Sequence, residues 1–148
     1  MTDDTSPTGR LIVAARAAAA NAWAPYSRFS VGAALLMRDG SLVTGANVEN
    51  ASYGLSLCAE TVAVASAAAA GRIREVVAVG IVGGMTGKDA IEPVLPCGRC
   101  RQVLNEAAQA GGRDLTVYCS GLTGGPIVEH RLSDLLPHAF GPASLGIL

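Results

Sequence analysis

The sequence "VLPCGRCRQVL", residues 94–104, places two cysteines three positions apart in a chain that has four cysteines in all. Cys97 and Cys100 follow Pro96 and are separated by a glycine and an arginine. A pair with this spacing is compatible with a disulfide, a redox-active pair, two ligands of a metal site or two small core residues. The rest of the chain has to distinguish these chemistries.

A second short segment, Cys58-Ala59-Glu60, combines another thiol with a carboxyl group. Both segments open predicted helices, where free N–H groups and the helix dipole favour thiolate over thiol. Cys97 and Cys100 share one helical face and can bind one ion together. Glu60 is only two residues from Cys58, so both can face a metal only where the helix begins. Three thiolates would leave one position of a tetrahedral zinc ion open, as in catalytic sites.

The composition predicts a folded protein in a reducing compartment. Of 148 residues 50% are hydrophobic, and 11 basic side chains against 12 acidic ones give a net charge of −1. Binding to a polynucleotide needs a concentrated positive surface, so this partner is not expected. The chain shows no signal peptide and no apolar run that could span a bilayer. We therefore expect a cytoplasmic protein without a membrane partner, whose paired thiols bind a metal or act in catalysis.

The elements that must position these segments follow from periodicity and helix breakers. The predicted helices cover residues 9–23, 57–71 and 97–112, and a last helical turn covers 133–140 with Ser133 as its N-cap. The predicted strands are a hairpin of residues 30–37 and 41–48 with its turn at Asp39-Gly40, a strand buried on both faces at 75–83, a strand at 114–120 and an edge strand at 124–132. This order predicts an α/β fold, a three-layer α/β/α sandwich with a mixed five-stranded sheet. We expect one domain over residues 1–148, with residues 1–8 disordered.

A cysteine two residues before a glutamate at one helix start, with Pro-Cys-x-x-Cys at a later one, is the three-cysteine pattern of the zinc deaminases. Over nearly its whole length the chain resembles the cytidine deaminases of free-nucleoside salvage, in their small homotetrameric form. The segments that carry this resemblance are "PYSRFSVGAALL", "GANVENASYGLSLCAE", "PCGRCRQVL" and "LLPHAF". The resemblance implies the fold of that family, one zinc ion per chain, and deamination of cytidine and 2'-deoxycytidine to the uridine products with release of ammonia.

The resemblance also implies roles for individual residues. It implies that zinc is held by Cys58, Cys97 and Cys100 and that Glu60 shuttles protons. The residues that it implies at the nucleoside are Asn47 and Glu49 at the ribose, the backbone of Ala59 at the base, Phe29 beside the nucleoside, and Phe140 stacked on a nucleoside bound by a neighbouring subunit of a homotetramer. For Tyr53, packing within its loop and a place in the site remain equal alternatives.

Two positions depart from the pattern of the family. Thr61 stands where the family often has an arginine directly after the glutamate, and Arg99 stands where many members have alanine. Three thiolates and one Zn²⁺ sum to a negative charge. We expect Arg99 or Arg101, both on the ligand helix, to compensate this charge by hydrogen bonds to the sulfurs.

Other interpretations stay open. One is a deaminase of the same fold that acts on another aminopyrimidine or on a base in a nucleic acid, and the other is a zinc module without enzymatic activity. The near-neutral charge disfavours a nucleic acid, and a zinc module leaves Glu60 without a role. A structural site needs a fourth ligand, but we expect Cys119 in the core and His130 and His138 as ordinary surface or edge residues.

Overall fold

The computed structural model describes residues 3–148, which form five strands, four α-helices and three 3-10 turns. The strands are β1 (Phe29–Met37), β2 (Leu42–Ala46), β3 (Val76–Met85), β4 (Thr116–Gly121) and β5 (Val128–Arg131). The α-helices are α1 (Pro7–Ala19), α2 (Ala59–Ala69), α3 (Gly98–Gly111) and α4 (Leu132–Leu135). Short 3-10 turns lie at Tyr53–Leu55, Ile73–Glu75 and Pro142–Leu145. Within residues 3–148, no helix combines the length and the apolar character that crossing a membrane requires.

The five strands form one mixed sheet in the order β2-β1-β3-β4-β5. β3 and β4 pair in parallel, and the other neighbours pair antiparallel. The β1–β2 hairpin turns at Asp39 and Gly40, where Gly40 has a φ of 84° that a side chain would disfavour. β5 pairs with β4 at the edge of the sheet. The mixed sheet, the hairpin turn and the edge strand confirm the sequence predictions.

Helices cover both faces of the sheet. On one face α1 buries Leu11, Ile12 and Ala15 in an apolar cluster with residues of β1 and β3. On the other face α2 and α3 share a larger cluster with side chains from the central strands. β3 contributes to both clusters, which explains its uninterrupted apolar sequence. The predicted three-layer α/β/α sandwich is therefore confirmed.

The strand directions bring the two segments with the paired cysteines together. β2 and β3 both run antiparallel to β1, so their carboxyl ends lie at the same edge of the sheet. α2 follows β2 and α3 follows β3, so both helices begin at this edge. α2 also lies directly on β2, because a Cβ atom at Gly45 would be 2.5 Å from the carbonyl oxygen of Ala59. Only glycine allows this close approach.

The first helix differs from its predicted bounds at both ends. It begins at Pro7, because the Oγ of Ser6 accepts a hydrogen bond from the Gly9 N–H and caps the first turn. Pro7 and Thr8 therefore form part of a helix, although they fall inside the segment expected to be disordered; residues 1–2 lie outside the described residues. At the other end Trp23 lies beyond the helix, because its N–H donates to the Asn47 carbonyl at 3.0 Å. This tertiary pairing replaces the helix that local propensity favours.

The prediction of Ser133 as an N-cap is wrong. α4 follows β5 without a loop and begins at Leu132, so Arg131 is its N-cap residue and Ser133 lies inside the first turn. The Ser133 N–H donates to Asp114 Oδ1 at 3.1 Å, and its hydroxyl donates to Asp114 Oδ2 at 2.6 Å. The Asp114 carboxylate, from the connection between α3 and β4, thus accepts from a free N–H group of the first turn, as a local cap would.

Candidate active site

Cys58 and Glu60 take their positions from the first turn of α2. Cys58 is the N-cap residue, with extended backbone angles of φ −74° and ψ 153°, and Glu60 follows inside the helix. This change from extended to helical backbone lets both side chains face one cavity, as the two-residue spacing predicted. The Glu60 side chain is buried, with 4% of the residue exposed.

Cys97 and Cys100 occupy the matching position on α3. Cys97 is the N-cap residue of this helix, in extended conformation, and Cys100 lies one turn further along on the same face. Arg101 fixes the chain that enters the helix, because its Nε donates to the Pro96 carbonyl at 2.8 Å and its guanidinium also donates to the Leu135 carbonyl at 2.9 Å. The segment before the ligand helix is thereby joined to the end of α4.

The three sulfurs lie at the distances that one metal ion requires. Cys58 Sγ is 4.0 Å from Cys97 Sγ, and Cys97 Sγ is 3.5 Å from Cys100 Sγ. All three sulfurs lie within 4.8 Å of one another. These distances exclude a disulfide bond of about 2.05 Å. Tetrahedral zinc with bonds of about 2.3 Å sets its sulfurs about 3.8 Å apart, so the three cysteines fit a zinc ion.

The donor set is that of a catalytic zinc site. Among residues 3–148, the possible metal ligands that cluster here are the three cysteines, and no fourth His, Cys, Asp or Glu joins the cluster. Cys119 is buried in β4, His130 lies in β5, and His138 is exposed near the C-terminus. Three protein ligands leave the fourth tetrahedral position for water or substrate.

Burial dominates the protonation of the site. It raises the pKa of Glu60, although hydrogen bonds from its own backbone N–H and from the Cys100 thiol lower it in part. Burial also raises the pKa of the Cys58 and Cys100 thiols. Burial opposes ionisation of Cys97 as well, but hydrogen bonds from the Cys100 N–H and the neighbouring thiols bring the pKa of Cys97 below its ordinary value. A metal ion that binds here must displace thiol protons, so its affinity depends on pH.

The sulfurs and Glu60 open into a cavity of about 260 Å³. Its apolar wall comes from Val31, Leu57, Val94 and Leu95, and the sequence analysis named none of these four residues. Its other lining residues are Asn47, Glu49, Ser56, the buried Ala59, Glu60 and the three cysteines. A larger groove of about 680 Å³ lies elsewhere, beside Arg16 and Arg28, but neither a thiol nor a carboxylate lines it. The chemistry therefore belongs to the smaller cavity.

Asn47 and Glu49 lie at the cavity and also hold its walls together. Asn47 Oδ1 accepts from the Val31 N–H and Asn47 Nδ2 donates to the Phe29 carbonyl, both at 2.8 Å. Glu49 Oε1 accepts from the N–H groups of Tyr26 and Ser27 at 2.9 and 3.1 Å. Hydrogen bonds from Ser27 lead the causes that lower the pKa of Glu49, so this carboxylate is charged at neutral pH.

The aromatic residues differ in their distance from the cavity. The Phe29 ring lies beside two wall residues, because a Cβ atom at Gly83 would be 3.3 Å from Phe29 Cε1, from Val31 and from Val94. Tyr53 packs edge-on against Tyr26, with ring centroids 5.6 Å apart. Tyr53 does not line the cavity that contains the three sulfurs and Glu60. The loop contact of Tyr53 is thus observed, and its place in the site stays a prediction.

Phe140 is not brought to the cavity of its own chain. Its ring is 63% exposed and borders a separate groove with Gln102, Glu106 and Leu145. The role in a neighbouring subunit that the resemblance implies for Phe140 stays a prediction.

The two arginines do not contact the sulfurs as we expected. Arg101 uses its guanidinium for the Pro96 and Leu135 carbonyls, and Arg99 is exposed on the first turn of α3. At the position of the missing arginine, the hydroxyl oxygen of Thr61 is buried and has no hydrogen-bond partner within residues 3–148. Thr61 is neutral, so the groups at the sulfurs that favour thiolate are the N-termini of α2 and α3, where Cys58 and Cys97 are the N-cap residues.

Comparison with known proteins places this geometry among deaminases. A family model described as the cytidine and deoxycytidylate deaminase zinc-binding region matches residues 6–112. The chain is 52% identical over 130 residues to a cytidine deaminase from Halalkalibacterium halodurans, covering 88% of this chain and 91% of the relative. It is 49% identical over 124 residues to a cytidine deaminase from Mycobacterium tuberculosis, covering 84% of this chain and 82% of the relative.

Solved structures give the same result. A crystal structure of a cytidine deaminase from Burkholderia pseudomallei superposes with a TM-score of 0.77 at 46% identity, covering 95% of this chain and all of the other. A cytidine deaminase from Mycobacterium tuberculosis superposes with a TM-score of 0.69 at 45% identity, covering 89% of this chain and 95% of the other. The similarity therefore extends over the whole fold and includes both segments that hold the sulfurs.

Proposed function

Because the chain belongs to the cytidine and deoxycytidylate deaminase family, we propose that it is a zinc-dependent enzyme that deaminates cytidine and 2'-deoxycytidine to uridine and 2'-deoxyuridine. The observation that carries the proposal is the buried Glu60 carboxyl in one cavity with three sulfurs that lie within 4.8 Å of one another. The proposed setting is pyrimidine salvage in the cytoplasm, where thiols stay reduced.

Cys58, Cys97 and Cys100 would hold the zinc ion, which would supply a Lewis acid that lowers the pKa of an attacking water. Glu60 accepts one proton from the attacking water and delivers it to the ring N3, which makes C4 electrophilic, and the water oxygen forms a bond to C4. Glu60 then takes the second proton from the hydroxyl group on C4 and gives it to the amino group, so that the C4–N bond breaks, ammonia leaves and C4 becomes the carbonyl of the uridine product. Burial raises the pKa of Glu60, so this carboxyl group holds a proton more readily than an exposed one, as a group that takes up and delivers protons requires.

The other cavity residues would orient the nucleoside. We assign the ribose hydroxyls to Asn47 and to the charged Glu49 carboxylate, whose bonds to Tyr26 and Ser27 both use Oε1. The backbone at Ala59, in the first turn of α2, is assigned to the base. Phe29 supports the apolar wall on which the pyrimidine would lie.

The charges around the cavity favour a nucleoside over a nucleotide. Its carboxyl groups are the charged Glu49 and the buried Glu60, and among residues 3–148 neither arginine nor lysine lines it. A 5'-phosphate would need positive partners and would be repelled by the Glu49 carboxylate. Of the two substrate types in the name of the family, this cavity therefore suits cytidine better than deoxycytidylate.

The enzyme is proposed to be a homotetramer that shares its active sites between subunits. Two apolar surfaces support this: Tyr53, Leu55 and Leu95 are exposed around the cavity, and Phe140 is exposed with Leu145 near the C-terminus. Large exposed apolar surfaces commonly mark contacts between subunits. In the proposed tetramer Phe140 of one subunit covers the pyrimidine bound by another.

Ammonia release by the purified, zinc-loaded protein tests this function. Cytidine and 2'-deoxycytidine should both be deaminated, whereas cytidine 5'-monophosphate should react at least about tenfold less efficiently because of its unpaired phosphate charge. A protein that deaminates none of the three compounds would exclude the proposed activity. Preference for the monophosphate would overturn the argument from the cavity charges.

A further inference from the structure

Three side-chain amides form a line on α3 behind the proposed zinc ligands. Gln102, Asn105 and Gln109 are spaced three and four residues apart, so they share one face of the helix. Their partners all lie in the segment 140–143. Gln102 Nε2 and Asn105 Nδ2 both donate to the Phe140 carbonyl, at 2.8 and 3.2 Å, and Gln109 Oε1 accepts from the Ala143 N–H at 2.9 Å.

Close packing adds to these hydrogen bonds. A Cβ atom at Gly141 would lie 2.5 Å from Gln109 Oε1 and 2.8 Å from Asn105 Nδ2, so the chain passes directly against these two amides of α3. Asn105 is 8% exposed, and Pro142 is buried after the glycine. The backbone around Phe140 is thus fixed to the helix from two directions.

The ring of Phe140 contrasts with its backbone. Two amide donors hold the carbonyl oxygen, yet 63% of the residue is exposed to solvent. An exposed aromatic ring gains little stabilisation from packing within its own chain. A buried side-chain amide needs a hydrogen-bond partner, and for Asn105 this partner is the Phe140 carbonyl. Holding the backbone while leaving the ring free is the arrangement expected of a side chain that binds outside its own subunit.

We propose that Gln102 and Asn105 are positioning residues that set Phe140 at the height and angle at which its ring covers a pyrimidine in a neighbouring subunit. This inference rests on the shared active site of the proposed function. The same helix begins with Cys97 and carries Cys100 in its first turn, so α3 links the metal centre of one subunit to the substrate cover of another.

Amide-to-acid substitutions test the proposal with little change of shape. Asn105→Asp and Gln102→Glu each replace a donor to the Phe140 carbonyl by an acceptor that repels it. Gln109→Glu is the matched control, because it keeps the oxygen that accepts from the Ala143 N–H. We expect the KM for cytidine to rise roughly three- to tenfold in the first two variants, the worth of an aromatic contact, and to stay unchanged in the control. Since Gln102 is exposed, its variant keeps the test valid if Asn105→Asp fails to fold.

Mixed tetramers distinguish positioning across subunits from a local structural role. Asn105→Asp subunits are co-expressed with excess Glu60→Gln subunits and purified as heterotetramers through two tags. Only the Asn105→Asp sites are active there, and each is covered by Phe140 of a neighbour with intact amides, so the KM should return to that of the native enzyme. A KM that stays at the value of the Asn105→Asp homotetramer would overturn the proposal.

A reference mixture separates this inference from the proposed function. Phe140→Ala subunits mixed with Glu60→Gln subunits should recover a normal KM if active sites are shared. Recovery in this mixture but not in the Asn105→Asp mixture would reject the positioning role alone. Failure in both would reject the shared site together with the positioning role, whereas an inactive native enzyme would reject the deaminase function itself.

Discussion

At the scale of residues, the chemistry depends on groups that are ordinary in type and unusual in surroundings. Cys58 and Cys97 are N-cap residues of two helices, and Glu60 is a carboxyl group with 4% exposure. The helix N-termini favour thiolates, while burial keeps a proton on Glu60 to a higher pH than usual. Arg101 was expected to donate a hydrogen bond to a sulfur, but its Nε donates to the Pro96 carbonyl.

The three sulfurs predict a simple pattern of metal loss. Purified protein should contain one zinc ion per chain by elemental analysis, and Cys58→Ala, Cys97→Ala and Cys100→Ala should each lose most of it, because two thiolates hold zinc weakly. Cys119→Ala is the control: this thiol is buried in β4, where burial raises its pKa to about 12, and it lies outside the ligand group. Zinc lost in Cys119→Ala but kept in Cys58→Ala would contradict the ligand assignment.

Glu49 allows a prediction about the sugar. Glu49→Gln retains the Oε1 atom that accepts from Tyr26 and Ser27 but removes the negative charge proposed to bind the ribose. Exchanging a charged for a neutral hydrogen bond should raise the KM for cytidine roughly fivefold. Turnover of free cytosine, which has no sugar, serves as the control and should not change. Equal losses for cytidine and cytosine would remove Glu49 from the ribose site.

At the scale of elements, β2 and β3 run in the same direction, which explains why the segments with Cys58 and Cys97 meet. β2 and β3 end at the same edge of the sheet, and each is followed by a helix whose first residues carry the cysteines. The hairpin that sets β2 beside β1 turns at Asp39, which accepts from the Ser41 N–H at 2.9 Å and from its hydroxyl at 2.6 Å. Arg72, from the connection between α2 and β3, pairs with the same carboxylate at 2.9 Å.

This turn predicts a defined pH dependence. Hydrogen bonds from Ser41, followed by the pairing with Arg72, lower the pKa of Asp39 to about 2. A carboxyl group with a lowered pKa stabilises the fold above its ordinary pKa of 3.8, and this stability is lost as the pH falls towards 2. Asp39→Asn, which resembles the protonated acid, should therefore lower the Tm at pH 7, and the difference in Tm should shrink as the pH falls from 4 through 2. A Tm difference of the same size at pH 7 and at pH 2 would contradict this account.

The sequence predicted these elements to different degrees. Strong signals, such as the Asp39-Gly40 turn and the apolar run of β3, led to the correct sheet, and the pattern of Cys58, Glu60 and Pro96-Cys97 led to the metal centre. The end of α1 was predicted too late, because the bonds of Trp23 to residues 47 and 49 are long-range and leave no local signal. The cap of α4 was misassigned for the same reason, since Asp114 reaches Ser133 from 19 residues away.

The missed residues of the cavity have a similar explanation. Val31, Val94 and Leu95 resemble any other apolar side chain in the sequence, and only the sheet edge makes them a wall. Gln102 and Asn105 resemble solvated helix residues until the C-terminal segment packs on them. Their spacing along one face of α3 was a signal, but no pattern in the sequence indicates a partner 35 or more residues away. The roles proposed for Asn47, Glu49, Phe29 and Phe140 stay predictions.

At the scale of the whole molecule, exposed apolar side chains predict assembly. Phe140, Leu145 and Ile147 are each more than 60% exposed near the C-terminus, and Tyr53 and Leu55 are equally exposed beside the cavity. Burying both surfaces between subunits would remove this apolar area from water. Sedimentation equilibrium should therefore give a mass of four chains of 14.9 kDa each. A stable monomer with full activity would contradict the shared active site.

The most direct test of the account compares ammonia release from cytidine by the native enzyme and by Glu60→Gln at equal zinc content. Glutamine keeps the shape of the side chain but cannot carry a proton, so the variant should retain zinc and bind nucleoside. Its kcat should fall by about 10²–10⁴-fold, the usual contribution of general acid–base catalysis, or by more if activation of water fails as well. A zinc-loaded Glu60→Gln enzyme that deaminates cytidine at a near-native rate would contradict the assignment of Glu60 as the group that moves the protons.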